Sequence, residues 1–246
     1  MIQLTNIHKS FNSHKVLDGL NLEIPDGKIT VILGKSGEGK SVLLKHIIGL
    51  LKPDRGRVMV QGTDLSELDD RAIKEFRKKF GMLFQNAALF DSLNVFENVA
   101  FPLKEHRRMA DGEIRHRVHE VLELVGLKGV DDKLPSELSG GMRKRVGLAR
   151  AIVLTPEILL YDEPTTGLDP IMTDAIDKLI VNTQKHLGIT SIVISHDIEA
   201  SFRIADKIAM IHEGIILLEG TREVFEKSKH PFVRQFLEGK ATGEEM

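Results

Sequence analysis

Eight consecutive residues, Gly34, Lys35, Ser36, Gly37, Glu38, Gly39, Lys40 and Ser41, set three glycines, a lysine and a hydroxyl at the GxxxxGK[ST] spacing, which suits the binding of a phosphate chain. Glycines at these positions admit positive φ, so successive N–H groups can converge on one anion. A helix starting at Lys40 adds the partial positive charge of its N-terminus. Lys40 then supplies a point charge for the β- and γ-phosphates, and Ser41 a hydroxyl for Mg²⁺. A Gly-rich turn that merely reverses the chain is the weaker reading, because the constrained positions rarely coincide by chance.

Two further groups could act on what such a loop holds. Residues 158–161 are apolar and lead into Asp162 and Glu163. A carboxylate at the C-terminal end of a buried strand can hold Mg²⁺ through water, while its neighbour polarises an attacking water. In Leu138-Ser139-Gly140-Gly141-Met142 an N-cap residue precedes two glycines, opening a helix that carries Met142, Val146 and Ala149 on one face. This is a second helix N-terminus able to meet an anion. Gln85, after a strand, and His196, within Ser195-His196-Asp197, each read alone as strand-end residues with structural or solvated roles.

Such residues need elements that bring distant segments together. Alternation over residues 2–7 and 20–24 predicts short strands, and the apolar run over 29–33 predicts a strand covered on both faces. A helical stripe follows over 41–50. Strands are expected over 57–60 and 80–84, flanking a charged helix over 66–79. Between about 86 and 151 charges and helix formers dominate, with Val118, Val121, Leu122 and Val125 on one face, which predicts a helical insertion. Strands over 158–161, 190–194 and 207–212 then alternate with helices over 171–187 and 197–205, the pattern of a doubly wound parallel α/β core. Residues 1–240 thus form one domain, and 241–246 a short polar tail.

Composition removes several classes. The 246 residues carry 34 Lys and Arg against 36 Asp and Glu, a net charge of −2 without the basic excess of a nucleic-acid-wrapping chain. Aromatics make up 5% and Trp is absent, which weighs against base-stacking platforms. With 0 Cys there is no disulfide framework and no thiolate chemistry. No apolar run approaches the roughly 18 residues that span lipid, so a membrane role requires a partner. The first residues show no basic head followed by an apolar stretch, so no secretory signal is expected. The basic stretches over 104–108 and 115–119 are interleaved with glutamates and read as solvated helix faces.

The order of the phosphate loop, Gln85, Leu138-Ser139-Gly140-Gly141, Asp162-Glu163, Gly167-Leu168-Asp169 and His196 resembles the ATP-binding cassette (ABC) family over about residues 1–228. The resemblance implies a P-loop NTPase fold with a RecA-like parallel core, an N-terminal antiparallel β subdomain and a helical insertion. It also implies ATP and Mg²⁺ as cofactors and ATP hydrolysis as the activity. Phe11 would stack on adenine with Val16 in support, although alone it reads as a core aromatic. The loop residues through Val42 would bind the phosphates, and Ser41, Gln85 and Asp162 would serve Mg²⁺. Glu163 and His196 would be catalytic. Ser139, Gly140, Gly141 and Asp169 would complete the ATP site of a second copy, giving a sandwich homodimer. Residues 87–93, from Ala87 through Leu89 and Phe90 to Leu93, would receive a helix of a membrane permease.

Two residues depart from the family pattern: Met142, where Gln is usual, and Glu38, where small residues are usual. Glu38 either adds a negative charge beside the triphosphate or points to solvent. The phrases ALFDSLNVFENVAFPL, ELSGGMRKRVGLARAI and YDEPTTGLDPI look like the ATPases of Mla-type phospholipid transport systems, in which Met142 is at home. That group implies a multi-pass permease, a lipid-binding substrate protein, a small regulatory subunit and the cytoplasmic face of a bacterial inner membrane. The alternatives are an importer of amino acids or other small solutes and, less favoured, a soluble ABC ATPase of DNA maintenance or translation. The latter is disfavoured by the single cassette and near-neutral charge. Phe232, Val233, Phe236 and Leu237 fall at helical spacing, either as a packed terminal helix or as a subunit contact.

Overall fold

A computed structural model of the chain describes residues 1–106 and 109–239. The tail expected over 241–246, and Arg107 and Arg108 of the first basic stretch, lie outside the described residues.

Alternation along the first strands builds an antiparallel sheet with one apolar face. Strands β1 (Ile2–Phe11), β2 (His14–Ile24), β4 (Arg55–Val60) and β5 (Thr63–Asp64) lie in the order β2-β1-β4-β5. Ile2, Leu4, Leu20, Leu22, Val58 and Val60 all point inward. Both leading strands run longer than expected, because the hairpin pairs Phe11 with His14 and carries bulges that absorb Asn6 at positive φ.

The second sheet has six strands, in the order β10-β9-β3-β8-β7-β6. They are β3 (Ile29–Leu33), β6 (Phe80–Leu83), β7 (Ile158–Asp162), β8 (Thr190–Ser195), β9 (Lys207–His212) and β10 (Ile215–Gly220). All neighbours are parallel except β10, which folds back antiparallel on β9. The period-2 pleat sends alternate side chains into two cores. Ile32, Leu160, Ile192 and Ile194 join the antiparallel sheet and α1 (Lys40–Ile47). Val31, Leu33, Leu159, Tyr161 and Val193 join the helices on the opposite face. Those helices are α3 (Val95–His106), α4 (Asp111–Leu124), α5 (Gly140–Ile152), α6 (Pro170–Leu187) and α7 (Ile198–Ile204), followed by α8 (Arg222–Lys227) and α9 (Pro231–Glu238). Val233 of α9 is fully buried, so this helix is packed against the body of the chain.

Two expected helical stretches are interrupted. Over 66–79 only α2 (Asp70–Arg77) is α-helical, because the Asp69 carboxylate caps it by accepting from the N–H groups of Arg71 and Ala72. Residues 86–94 form no helix. Ala87 and Ala88 adopt φ of 58° and 48°, and Arg150 donates to both of their carbonyls. Asn98, fully buried, accepts from Phe90 N–H and donates to the carbonyls of Phe90, Leu93 and Asn94. Within the second basic stretch, Arg117 is structural, reaching the carbonyls of Ile152 and Val153.

Candidate functional site

The parallel strands deliver their C-terminal ends to one edge of the sheet, where open α/β folds bind ligands. Gly34 follows β3, Gln85 follows β6, Asp162 ends β7 with Glu163 next, and His196 follows β8. Residues scattered over more than 160 sequence positions thereby share an edge.

The phosphate loop is confined on two sides by backbone. A Cβ on Gly34 would stand 2.8 Å from the Ile211 carbonyl oxygen, and one on Gly39 would stand 3.2 Å from the Val16 carbonyl oxygen. Gly39 also takes φ 91°, in the left-handed region where glycine alone is at ease. It precedes α1 without a side-chain cap, so the first N–H groups of that helix remain available to an anion. Lys40 is 5% exposed, and its Nζ donates to the carbonyls of Gly34 and Lys35 at 2.7 and 2.8 Å. Burial lowers its pKa, while Glu163, Glu38 and Asp162 act to hold the charge.

Glu163 is the focus of the opposite wall. Its φ is 48°, a conformation costly for a non-glycine residue, held by its N–H donating to the Ile194 carbonyl at 3.1 Å. Oε2 of Glu163 accepts from Thr166 Oγ1 at 3.0 Å and from Gln85 Nε2 at 3.5 Å, and lies 3.5 Å from Nδ1 of His196. Burial, and then the neighbouring Glu163, push the Asp162 carboxyl above its ordinary range, against Lys40, Lys45 and Lys144. A carboxyl perturbed in this way at a strand end beside a phosphate loop marks a candidate hydrolytic centre.

The remaining expected residues fall in two other neighbourhoods. Phe11 ends β1 with 45% of its surface exposed and Lys9 Nζ 5.6 Å from its ring centroid, so it is not a core aromatic. Val16 lies against Gly39. Ser139 caps α5 by accepting from Met142 N–H, Gly140 faces Leu168, and Gly141 faces the Met172 methyl. Met172 N–H in turn donates to Asp169, which caps α6. Ser139, Gly140 and Gly141, the signature residues, therefore gather with Asp169, not with residues 34–41. Glu38 does not point to solvent: its carboxylate accepts from Nδ1 of His212 at 3.0 Å and from the Glu213 N–H at 2.8 Å.

Lys144 was absent from the expected set. It is 6% exposed on α5, and its Nζ donates to the backbone carbonyls of Gln85 and Glu163, tying both segments to one helix. A charge inside the apolar stripe Gly141, Lys144, Leu148 was the available signal. Thr166 gave none.

This fold and edge define a P-loop nucleotide hydrolase. A family model described as ABC transporter matches residues 17–166, more than half of the chain. The chain belongs to the ABC transporter family and is its ATP-binding, ATP-hydrolysing subunit. It is 45% identical over 242 residues to "Probable ribonucleotide transport ATP-binding protein mkl" of Mycobacterium leprae, covering 98% of this chain and 70% of that protein. It is 44% identical over 243 residues to the intermembrane phospholipid transport system ATP-binding protein MlaF of Haemophilus influenzae, covering 99% and 92%. Among solved structures, a dimeric ATP-binding cassette in a post-hydrolysis state with ADP and Pi matches with TM-score 0.82 at 32% identity, covering 90% of this chain and 98% of that one. A cassette of a Clostridium perfringens ABC transporter complex matches with TM-score 0.86 at 34% identity, covering 92% and 90%.

Proposed function

We propose that two copies close head to tail around two ATP, and that hydrolysis reopens them to drive a permease moving phospholipid between two membranes. The observation carrying the hydrolytic reading is the convergence of Gln85, Thr166 and His196 on Oε2 of Glu163. Lys40 leaves the loop carbonyls for the β- and γ-phosphates, and N–H groups from Gly34 to Val42 cradle them. Phe11 stacks on adenine with Val16 beneath it. Glu163 orients the attacking water, and His196 donates toward the γ-phosphate. Ser139, Gly140, Gly141 and Asp169 serve the ATP held by the other copy. The Ser41 hydroxyl, the Asp162 carboxylate and the Gln85 amide oxygen form a hard-oxygen set that suits Mg²⁺ with water completing its shell. Bound there, Mg²⁺ offsets charge on the β- and γ-phosphates and favours the ionised form of Asp162.

Two features support partners. Two solved structures of one relative are described as dimeric, and Ile171, beside Asp169, is 81% exposed, which suits a surface met by a second copy. No helix among the described residues is long and apolar enough to cross a membrane, so coupling goes through the permease at the cytoplasmic face of the inner membrane. Within residues 87–93, Ala87 is buried and Ala88 and Phe90 are exposed. Ala88 and Phe90 line a cavity with Phe84, Phe101, Pro102 and Arg150, an apolar groove fit for a permease helix. A lipid-binding substrate protein and a small regulatory subunit complete the assembly in this reading.

Glu163→Gln tests the core of it. The variant binds ATP, accumulates as a dimer by sedimentation, and releases phosphate at least about a hundredfold more slowly. Full turnover would remove Glu163 from its role. The relatives' names divide over cargo, phospholipid for MlaF and ribonucleotide for mkl. With the chain and its permease in vesicles, ATP-dependent transfer of fluorescent phospholipid is expected; uptake of labelled ribonucleotide instead would overturn the lipid reading.

A further inference from the structure

Glu38 poses an electrostatic problem. A carboxylate placed between Gly37 and Gly39 stands in the loop that must receive a triphosphate, and like charges repel across a partly dehydrated site. We infer that His212 is a positioning residue that holds the Glu38 carboxylate away from the triphosphate, and that Phe232 of α9 holds His212 in place.

The geometry is specific. The Glu38 carboxylate is gripped twice, by Nδ1 of His212 at 3.0 Å and by the Glu213 N–H at 2.8 Å, and its side chain is 16% exposed. A carboxylate only accepts, so Nδ1 of His212 carries the proton. The imidazole is stacked on the Phe232 ring, with centroids 3.5 Å apart and planes inclined by 13°. Lys35, from the same loop, sets its Nζ 5.4 Å from that ring's centroid. Lys35 directly, and Glu38 through His212, thus connect the loop to one aromatic on the C-terminal helix.

The turn that presents Glu213 is itself fixed. Glu213 and Gly214 take φ of 49° and 78°, and the Gly214 carbonyl accepts from Asp18 N–H at 3.0 Å. A Cβ at Gly214 would lie 2.9 Å from the Val16 carbonyl oxygen, so the turn is wedged against the strand behind the proposed adenine site. The Glu38 anchor is thus tied to β2 through the turn and to α9 through His212.

The test measures ATP affinity with Mg²⁺ by calorimetry, and kcat and KM by phosphate release. His212→Ala frees the carboxylate and raises the ATP Kd and KM about fivefold, with kcat within about twofold. His212→Ala combined with Glu38→Gln brings the Kd back to within about twofold of the parent, because no charge is left to restrain. His212→Asn, whose amide nitrogen can stand where Nδ1 stands, retains most of the affinity and guards against loss of fold. Phe232→Ala shifts Kd in the same direction as His212→Ala, by less. An unchanged Kd in His212→Ala overturns the proposal. So does a double variant as weak as His212→Ala alone, since loop support without charge restraint would then be the whole effect. The inference rests on ATP occupying the loop, which Lys40→Ala tests separately by abolishing binding outright.

Discussion

Lys144 shows how a single buried charge can organise a site. Its ammonium is desolvated, which lowers its pKa, while Glu163 and Asp162 favour the charged form. Replacing it by Met keeps the volume and removes both donors from the Gln85 and Glu163 carbonyls. Lys144→Met is expected to lower kcat about tenfold or more while ATP KM stays within about threefold, as steady-state phosphate release would read. His46 on α1 makes a stability prediction. It is 1% exposed, and burial pulls its pKa down to about 4 against the smaller opposing effect of the Val42 backbone. The unfolded chain takes up this proton at higher pH than the folded one, so the stabilisation is complete above the ordinary histidine range and is lost as pH falls toward about 4. Urea unfolding between pH 7 and pH 4.5 should show a loss of about 2 kcal/mol from this group, absent in His46→Leu. The phosphate loop and the Asp162-Glu163 pair were legible because their meaning is local. Lys144 was not, since its acceptors lie 59 and 19 residues away, and the orientation of Glu38 depends on a histidine 174 residues distant.

At the scale of elements, alternation and helical stripes identified the parallel strands and most helices. The failure over residues 86–94 has a non-local cause, backbone shape imposed from elsewhere in the fold. Residues 86–94 contain helix formers, yet Arg150 and Asn98 capture their carbonyls and hold Ala87 and Ala88 in left-handed geometry. That capture turns Phe90 outward, 43% exposed and with its ring centroid 4.8 Å from that of Phe101. Phe90→Asp is expected to abolish stimulation of ATPase by the permease while basal turnover persists, at a stability cost of about 1 kcal/mol for the lost ring contact. A variant that fails to fold, judged by its thermal melt, would place Phe90 in the core instead.

For the whole molecule, the signature residues and Asp169 lie together around Leu168 and Met172, apart from the loop they are proposed to serve. That separation is what the proposed head-to-tail pairing with a second copy accounts for. Ile171 sits at that surface, and its 81% exposure means a change there leaves the monomer within about 0.5 kcal/mol of its parent stability. Ile171→Glu in the Glu163→Gln background should weaken ATP-dependent dimerisation at least about tenfold by sedimentation. Dimerisation at parental strength would move the contact elsewhere.

One thirteen-residue helix, α5, meets three different clients. Its capping serine is the one proposed to meet the second copy's nucleotide, Lys144 donates to the Gln85 and Glu163 carbonyls, and Arg150 donates to the Ala87 and Ala88 carbonyls. From Ser139 to Arg150 the span is about 16 Å of continuous α-helix. In the proposed transporter this one unbroken element joins the groove segment, the Gln85 and Glu163 backbone and the capping serine, so a displacement of any one is felt by the other two.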